Sequence, residues 1–458
     1  MCSDTTGDDV AVVAFDFASR GLMGLTALPE VVDVATGDDL EAVTRRLTQL
    51  DAELERRRRL LSDAGAEHLT AYHRDHPDTR RAVPRIIVLI DGFGGLQSTL
   101  MESGGSMSMA STEEWGERVQ RLVIDGRQVG IHTVITADRR NAVPSRIHAA
   151  VANRLILRHA DENGYAEHSI TGDRAKNLDL SPGRGLVDGA ALVQIASVSA
   201  DPSARAQQSE LAALAERFGR PDTSVLASDR LPELLRHDQV AGATDTAPYR
   251  AVMGVADISG APVVVDLDWS SLVISGPARS GRSTAALAAA RSLGEHHELT
   301  IAGPSSSPLS GWANGLAGTD ETRMAFGRPD ELTPVLQQLA DRVQAGTCER
   351  PPVLVIDDAD TLDDPTLAPL WDRLTQLDDL RIVMALEQRA MTGYTTSAMV
   401  TAARRTRRML VLQPDDPADF LQTTGVRLPS RPGVRMVPGR GILLADRQPS
   451  ILQVPTAP

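Results

Sequence analysis

Cysteine, lysine and long apolar runs are scarce in this chain, and each scarcity excludes something. Two cysteines, Cys2 and Cys348, are too few for a disulfide scaffold or a tetrahedral zinc site, and they fit a reducing compartment. No apolar run reaches the roughly 18 residues needed to span a bilayer. The opening residues MCSDTTGDDV are acidic and lack the apolar core of a secretory leader. The ten histidines form no H-E-x-x-H pair, and no G-x-S-x-G elbow stands out. Lys176 is the sole lysine among 47 basic residues, so the cations are arginines, as in high-GC coding. The net charge of −14 argues against broad, non-specific binding of nucleic acid by the outer surface, although a narrow arginine-lined channel stays compatible with it.

What is present fits a cytosolic globular protein. A length of 458 residues suggests two or three domains, and an apolar fraction of 42% is ordinary for a packed core. Short β-branched runs recur at Val10–Phe17, Ile86–Asp91, Thr133–Ala137, Leu155–Leu157, Leu272–Ser275, Leu299–Ala302, Val353–Asp357 and Ile382–Leu386, as buried parallel strands do. Helical patterns lie between them. Val43, Leu47, Leu50 and Leu54 share one helix face, and Asp38 three residues before Glu41 resembles a capping box. Alternation of this kind predicts a doubly wound α/β fold with mostly parallel sheets.

Two halves repeat in order. PRIIVLIDGFGGL (84–96) parallels PPVLVIDDADTL (351–362), and RLILRHADENGYAEHSITG (154–172) parallels RMLVLQPDDPADFLQTTG (408–425). Gly183-Arg184-Gly185 matches Gly439-Arg440-Gly441, and the helix GDDLEAVTRRLTQL matches RPDELTPVLQQLADRV. The expected organisation is one module over residues 1–200, a linker over 201–250 with one helix near Glu210–Phe218, and a second module over 251–458. The stretch Gln97–Ser111 has no helical period and is expected to be a surface loop.

The second module carries the chemistry. SLVISGPARSGRSTAALAAA (271–290) is a strand, a glycine loop and an alanine-rich helix. Gly276-x-x-x-x-Gly281-Arg282-Ser283 is the phosphate-loop pattern with arginine in place of lysine. Glycines let backbone N–H groups close around phosphate oxygens, and the helix that follows adds a favourable dipole. The candidate nucleotide-binding residues are Gly276, Ala278, Ser280, Gly281, Arg282, Ser283, Thr284 and Asp357. Ser283 and Asp357 would hold Mg²⁺. Arginine for lysine is not conservative, because a guanidinium is broad and planar. Asp358 stands where such ATPases place the glutamate that activates water, one methylene short of it. In the first module Asp91 is retained, but Gly92 occupies the glutamate position and no phosphate loop is present. Counting back from the strand at Val10 places that loop, and the strand before it, ahead of Met1. The expectation is a gap in the first sheet and no ATP hydrolysis there, the chain being a fragment, a split gene or one with a late start.

DFASRGLMGL, LIDGFGGL, GRQVGIHTVITADRR and SPGRGLVDG, in this order, resemble the FtsK/SpoIIIE motor domain, most of all multi-module members such as the EccC-like ATPases of type VII secretion. The resemblance covers nearly the whole chain. It implies two tandem RecA-like P-loop modules, ATP and Mg²⁺ as cofactors, weak or absent turnover, and a secreted protein or other motor modules as partners. A homo-oligomer is possible on this resemblance, DNA is a less favoured partner, and any membrane association runs through partners at the inner face. The alternatives are a fragment of an FtsK-type DNA translocase and a catalytically dead scaffold. Where the DNA pumps carry a Thr-Gln pair, this chain has Ala137-Asp138. Arg154 and Arg139 lie where a module presents a cation to a neighbour's phosphates, and for each a surface ion pair is the blander reading.

Overall fold

A computed structural model describes the chain except for residues 1–8, 103–107, 179, 219–225, 227–229, 241–248, 269, 295, 313–321, 363, 393–396, 407, 415, 428–434, 446–447 and 457–458. It divides into two compact units, Met1–Ala227 with Ser430–Val434, and Ser228–Pro429 with Arg435–Pro458.

In the first unit, strands β1 (Val10–Asp16), β2 (Val31–Thr36), β3 (Arg85–Asp91) and β4 (Ile131–Ile135) form a parallel sheet in the order β2-β1-β3-β4. The β-branched run of β1 is buried along its whole length, as expected of a strand covered on both faces. The helix Leu40–Asp63 lays Val43, Leu47, Leu50 and Leu54 into the core, each 2% exposed or less. Its cap differs from the expectation: Asp39, not Asp38, accepts from the Ala42 N–H, while Asp38 pairs with Arg20. An Asp one residue later sits where the extended backbone turns its carboxylate onto the first-turn amides. The stretch Gln97–Ser111 is a second correction. Helices Phe93–Glu102 and Ser108–Asp125 cover its ends, and residues 103–107 lie outside the described residues. Glycine, serine and methionine hide the helical period there, while the core contact of Phe93, Leu96 and Trp115 supplies it. A separate antiparallel sheet follows, built from β5 (Leu155–Ile156), β6 (Arg184–Val187) and β7 (Ala191–Gln194). The stretch 201–250 contains a longer helix than expected, Ala204–Phe218.

The second unit is one ten-stranded sheet. Its strands are β8 (Arg250–Ala256), β9 (Pro262–Asp266), β10 (Leu272–Gly276), β11 (Glu298–Gly303), β12 (Thr322–Phe326), β13 (Pro352–Ile356), β14 (Arg381–Glu387), β15 (Arg408–Leu412), β16 (Arg440–Ala445) and β17 (Gln448–Gln453). Their order is β12-β11-β13-β14-β10-β15-β16-β17-β8-β9. Pairing is parallel from β12 to β15 and antiparallel beyond. The sheet and the helix Arg282–Leu293 share a core in which β10, β11 and β13 are buried throughout.

The repeat in the sequence is a repeat of topology. The order β2-β1-β3-β4 corresponds to β12-β11-β13-β14, and the meander β5-β6-β7 to β15-β16-β17. In the second unit β10, the strand that leads into the glycine loop, sits between β14 and β15. Among the described residues of the first unit, no strand pairs with the outer edge of β4 or of β5. The sheet is therefore divided at the position the sequence indicated.

Candidate nucleotide site

The loop that joins β10 to the helix Arg282–Leu293 has the shape its glycines dictate. A Cβ on Gly276 would fall 2.6 Å from Ser280 Oγ and 2.9 Å from Leu412 O, so only glycine fits. Gly281 has φ +100°, and a Cβ there would lie 3.0 Å from Gly439 N. Gly281 is the N-cap residue and brings no side chain to the first-turn amides of Arg282, Ser283 and Thr284. An uncapped, 12-residue helix preceded by a folded loop is suited to an anion. The second glycine motif braces this loop from β16: Gly439 N donates to Ser280 O at 2.7 Å. The matching Gly183-Arg184-Gly185 in the first unit is exposed at Arg184.

Asp357 follows β13 and is fully buried. Ser307 Oγ donates to its Oδ2 at 2.6 Å, and its Oδ1 is buried with no hydrogen-bond partner. Ser283 stands close enough to ease the charge without forming a hydrogen bond of ordinary geometry. Burial, and then neighbouring Asp358, push the Asp357 carboxyl above the usual carboxylate range, against the lowering effect of Ser307. A buried carboxylate oxygen left without a donor, next to a serine hydroxyl, is a donor set that suits Mg²⁺.

The two altered positions face each other. Arg282 Nη1 donates to Gly276 O at 2.8 Å and Nη2 to Asp358 Oδ1 at 2.9 Å, and both side chains are mostly shielded, 14% and 24% exposed. The residue that replaces the phosphate-binding lysine is thus bound to the residue that replaces the water-activating glutamate. Asp358 also has φ +44°, a left-handed backbone that a short Asp side chain tolerates better than a longer one.

The worn site of the first unit is arranged differently. Thr136 Oγ1 donates to Asp91 Oδ1 at 2.5 Å and accepts from Gly92 N at 2.9 Å. Gly92 has φ +75°, and a Cβ would meet Ala18 Cβ at 3.0 Å and Ala18 N at 3.1 Å. Asp16, at the end of β1, is buried and accepts from the N–H groups of Ala18, Arg20 and Leu22, holding the segment that crowds Gly92. Arg154 turns to its own unit, its guanidinium donating to His148 O at 2.9 Å, and Arg139 makes an exposed pair with Asp138 at 3.6 Å. Ser307 and Thr136 have no local signal in the sequence, because each acts on a residue at or just past the end of a different strand.

Asp357 gives a measurable pH dependence. Its folded-state pKa is raised, so the stability linked to it is fully present below the ordinary carboxylate range and is lost as pH rises through the raised value. Asp357→Asn keeps an acceptor for Ser307 and removes the charge. With EDTA present, thermal melts are expected to show the variant more stable at pH 8, with the difference closing toward pH 5. Equal melting at every pH contradicts a buried charge.

A glycine loop at the carboxyl end of a parallel strand, with an acid two strands away in the sheet, defines the P-loop ATPase class of fold. Residues 1–174 match the model of the FtsK/SpoIIIE family, and the chain carries that family's domain. Its homologues are type VII secretion ATPases. It is 26% identical to the ESX secretion system protein EccC of Thermomonospora curvata over 423 residues, 85% of this chain and 30% of that protein. It is 24% identical to the type VII secretion system protein EssC of Staphylococcus aureus over 181 residues, 40% of this chain and 11% of that one. The chain spans about a third or less of these relatives. ATPases 2 and 3 of T. curvata EccC, solved with a signal sequence peptide, share the fold with a TM-score of 0.70 at 18% identity, over 98% of this chain and 83% of that one. ATPases 2 and 3 of Geobacillus thermodenitrificans EssC align with a TM-score of 0.67 at 17% identity, over 99% and 87%. The α/β tandem-module fold expected from the sequence is thereby shown. Among the described residues, no helix is long and apolar enough to cross a membrane.

Proposed function

We propose that this chain is a regulatory or substrate-recognition segment of a type VII-like secretion motor, acting at the cytoplasmic face of the membrane through its partners. Nucleotide binding is confined to the second unit, and turnover is slow or absent. One observation carries this reading: the only loop of phosphate-binding form among the described residues has its cation, Arg282, tied to Asp358. The family assignment supports nucleotide and Mg²⁺ as ligands. The signal sequence peptide in the T. curvata EccC complex supports a secreted protein as partner.

In this reading the first-turn amides of the helix Arg282–Leu293 hold the phosphates, while Ser283 and Asp357 hold Mg²⁺. A bound Mg²⁺ supplies charge neutralisation at the outer phosphates. Arg282 must leave Asp358 before it faces a phosphate, which weakens binding. Asp358, freed at that moment, is one methylene short of the glutamate it replaces and sits on a strained backbone. Asp91 and Gly92 of the first unit provide neither a base nor a loop.

Titration of a fluorescent ATP analogue, with Mg²⁺, into the chain and into Arg282→Ala tests the site. The variant loses the cation and leaves Asp358 unneutralised beside the phosphates, so affinity is expected to fall about tenfold. Equal affinity in both proteins removes this site from the proposal. A steep salt dependence of duplex DNA binding favours the translocase alternative, because phosphate neutralisation releases counterions.

A further inference from the structure

The first unit has a cavity of about 690 Å³ at the amino ends of β1 and β3, the opposite end of the sheet from Asp91 and Gly92. Val10 pairs with Arg85 in register, and Arg85 N donates to Asp9 O, so the two strand ends form the floor. The helix Leu69–Asp75 and the turn Pro77–Thr79 form the wall. Among the described residues, three arginines line it, Arg74, Arg80 and Arg85, against one acid, Asp9. This is an inversion of the chain as a whole, whose net charge is −14.

The cations are poorly neutralised. The Arg80 guanidinium makes no hydrogen bond or ion pair to the described residues. Arg85 Nη2 donates to the neutral hydroxyl of Thr70 at 3.1 Å. Among the described residues Arg74 pairs only with its exposed neighbour Asp75 at 3.1 Å, a contact worth little in water. His68 adds a further donor: its Nδ1 accepts from Ala71 N at 2.9 Å, which leaves Nε2 protonated, whereas buried His73 spends its Nε2–H on Val83 O at 3.0 Å. The walls are therefore rich in donors and poor in acceptors. After burial, Arg85 is the largest charge depressing the protonation of both His73 and His132, so its field reaches across this end of the sheet.

We propose that this cavity binds a small phosphorylated anion carrying at least two negative charges. The volume falls in the range of small-molecule sites, and arginine forks match phosphoryl oxygens. The ligand is held at the amino ends of β1 and β3, independently of the loop at Gly276–Ser283. The proposal does not rest on the secretion-motor reading.

Isothermal titration of the full chain with pyrophosphate, at low ionic strength and with EDTA, tests it. The double variant Arg80→Gln, Arg85→Gln is expected to lose at least about tenfold in affinity and each single variant a few-fold. Thermal melts check that the variants fold, and Thr70→Val, which keeps every charge, is expected to bind within about two- to threefold of the parent. Two results each overturn the proposal: no heat at millimolar pyrophosphate, or an affinity in the double variant equal to the parent's. Citrate binding as tightly as pyrophosphate overturns the phosphate assignment.

Discussion

Arg282→Lys is expected to bind ATP about tenfold or more tightly than the parent chain. Arg282 spans two acceptors, Gly276 O and Asp358 Oδ1, with one planar fork. A phosphate must displace at least the second of these, and breaking a shielded charged hydrogen bond costs about 1.5–3 kcal/mol. Lysine is a point charge on a flexible stem and does not hold both acceptors in one plane. It leaves Asp358 for a phosphate at lower cost, and each 1.4 kcal/mol is about tenfold in affinity. Asp358→Ala, which frees Arg282 outright, is expected to tighten binding in the same direction. The double variant Arg282→Lys, Asp358→Glu adds a base of the required length. General-base catalysis contributes about 10²- to 10⁴-fold, and the low end is expected because position 358 keeps its positive φ. ATP titration and phosphate release measure the two effects. Arg282→Lys with unchanged affinity refutes the ion-pair latch.

Gly92→Glu, the substitution that restores the family's acid in the first unit, is expected to destabilise that unit by about 2–3 kcal/mol and to restore no turnover. A side chain at φ +75° costs about 1–2 kcal/mol. The Cβ also presses on Ala18, which Asp16 fixes in place through the amides of residues 18, 20 and 22. The crowding adds to the backbone cost, since shifting Ala18 strains the hydrogen bonds that Asp16 accepts from this segment. Gly92→Ala is expected to carry most of the penalty, which separates backbone strain from the added carboxylate. Chemical denaturation measures both. A Gly92→Glu protein as stable as the parent shows that glycine was not built into this turn. On the proposed reading, the loss of catalysis is embedded in packing in the first unit and rests on two side chains in the second.

Much of the fold is legible because it is periodic. The buried strands at Val10, Leu272, Val353 and Arg381 announce themselves as β-branched runs, since a strand covered on both faces has no polar alternation to hide it, and the strand at Arg85 does so with one face half-buried. The edge strands β2 and β12 are half exposed and less apolar, and they passed unnoticed. The phosphate loop is legible because glycine is required at close approaches, and those requirements are local to the chain. The helix cap shows the limit of spacing rules. Asp38 and Asp39 are adjacent, and only the backbone angle decides which of them caps.

Chain order alone indicates a duplicated α/β architecture and, in the second half, a glycine loop of phosphate-loop pattern with arginine at the lysine position. Folding decides the rest. Arg282 reaches Asp358 across 76 residues and Ser307 reaches Asp357 across 50, because the strand order β11-β13-β14-β10 sets the carboxyl end of β13 beside that of β11 and two strands from that of β10. The donor-rich cavity at the other end depends in the same way on β1 and β3 being neighbours. Backbone conformation follows from near neighbours in the chain, whereas the partner of a buried charge is whichever group the strand order brings within reach, and nothing local encodes that order.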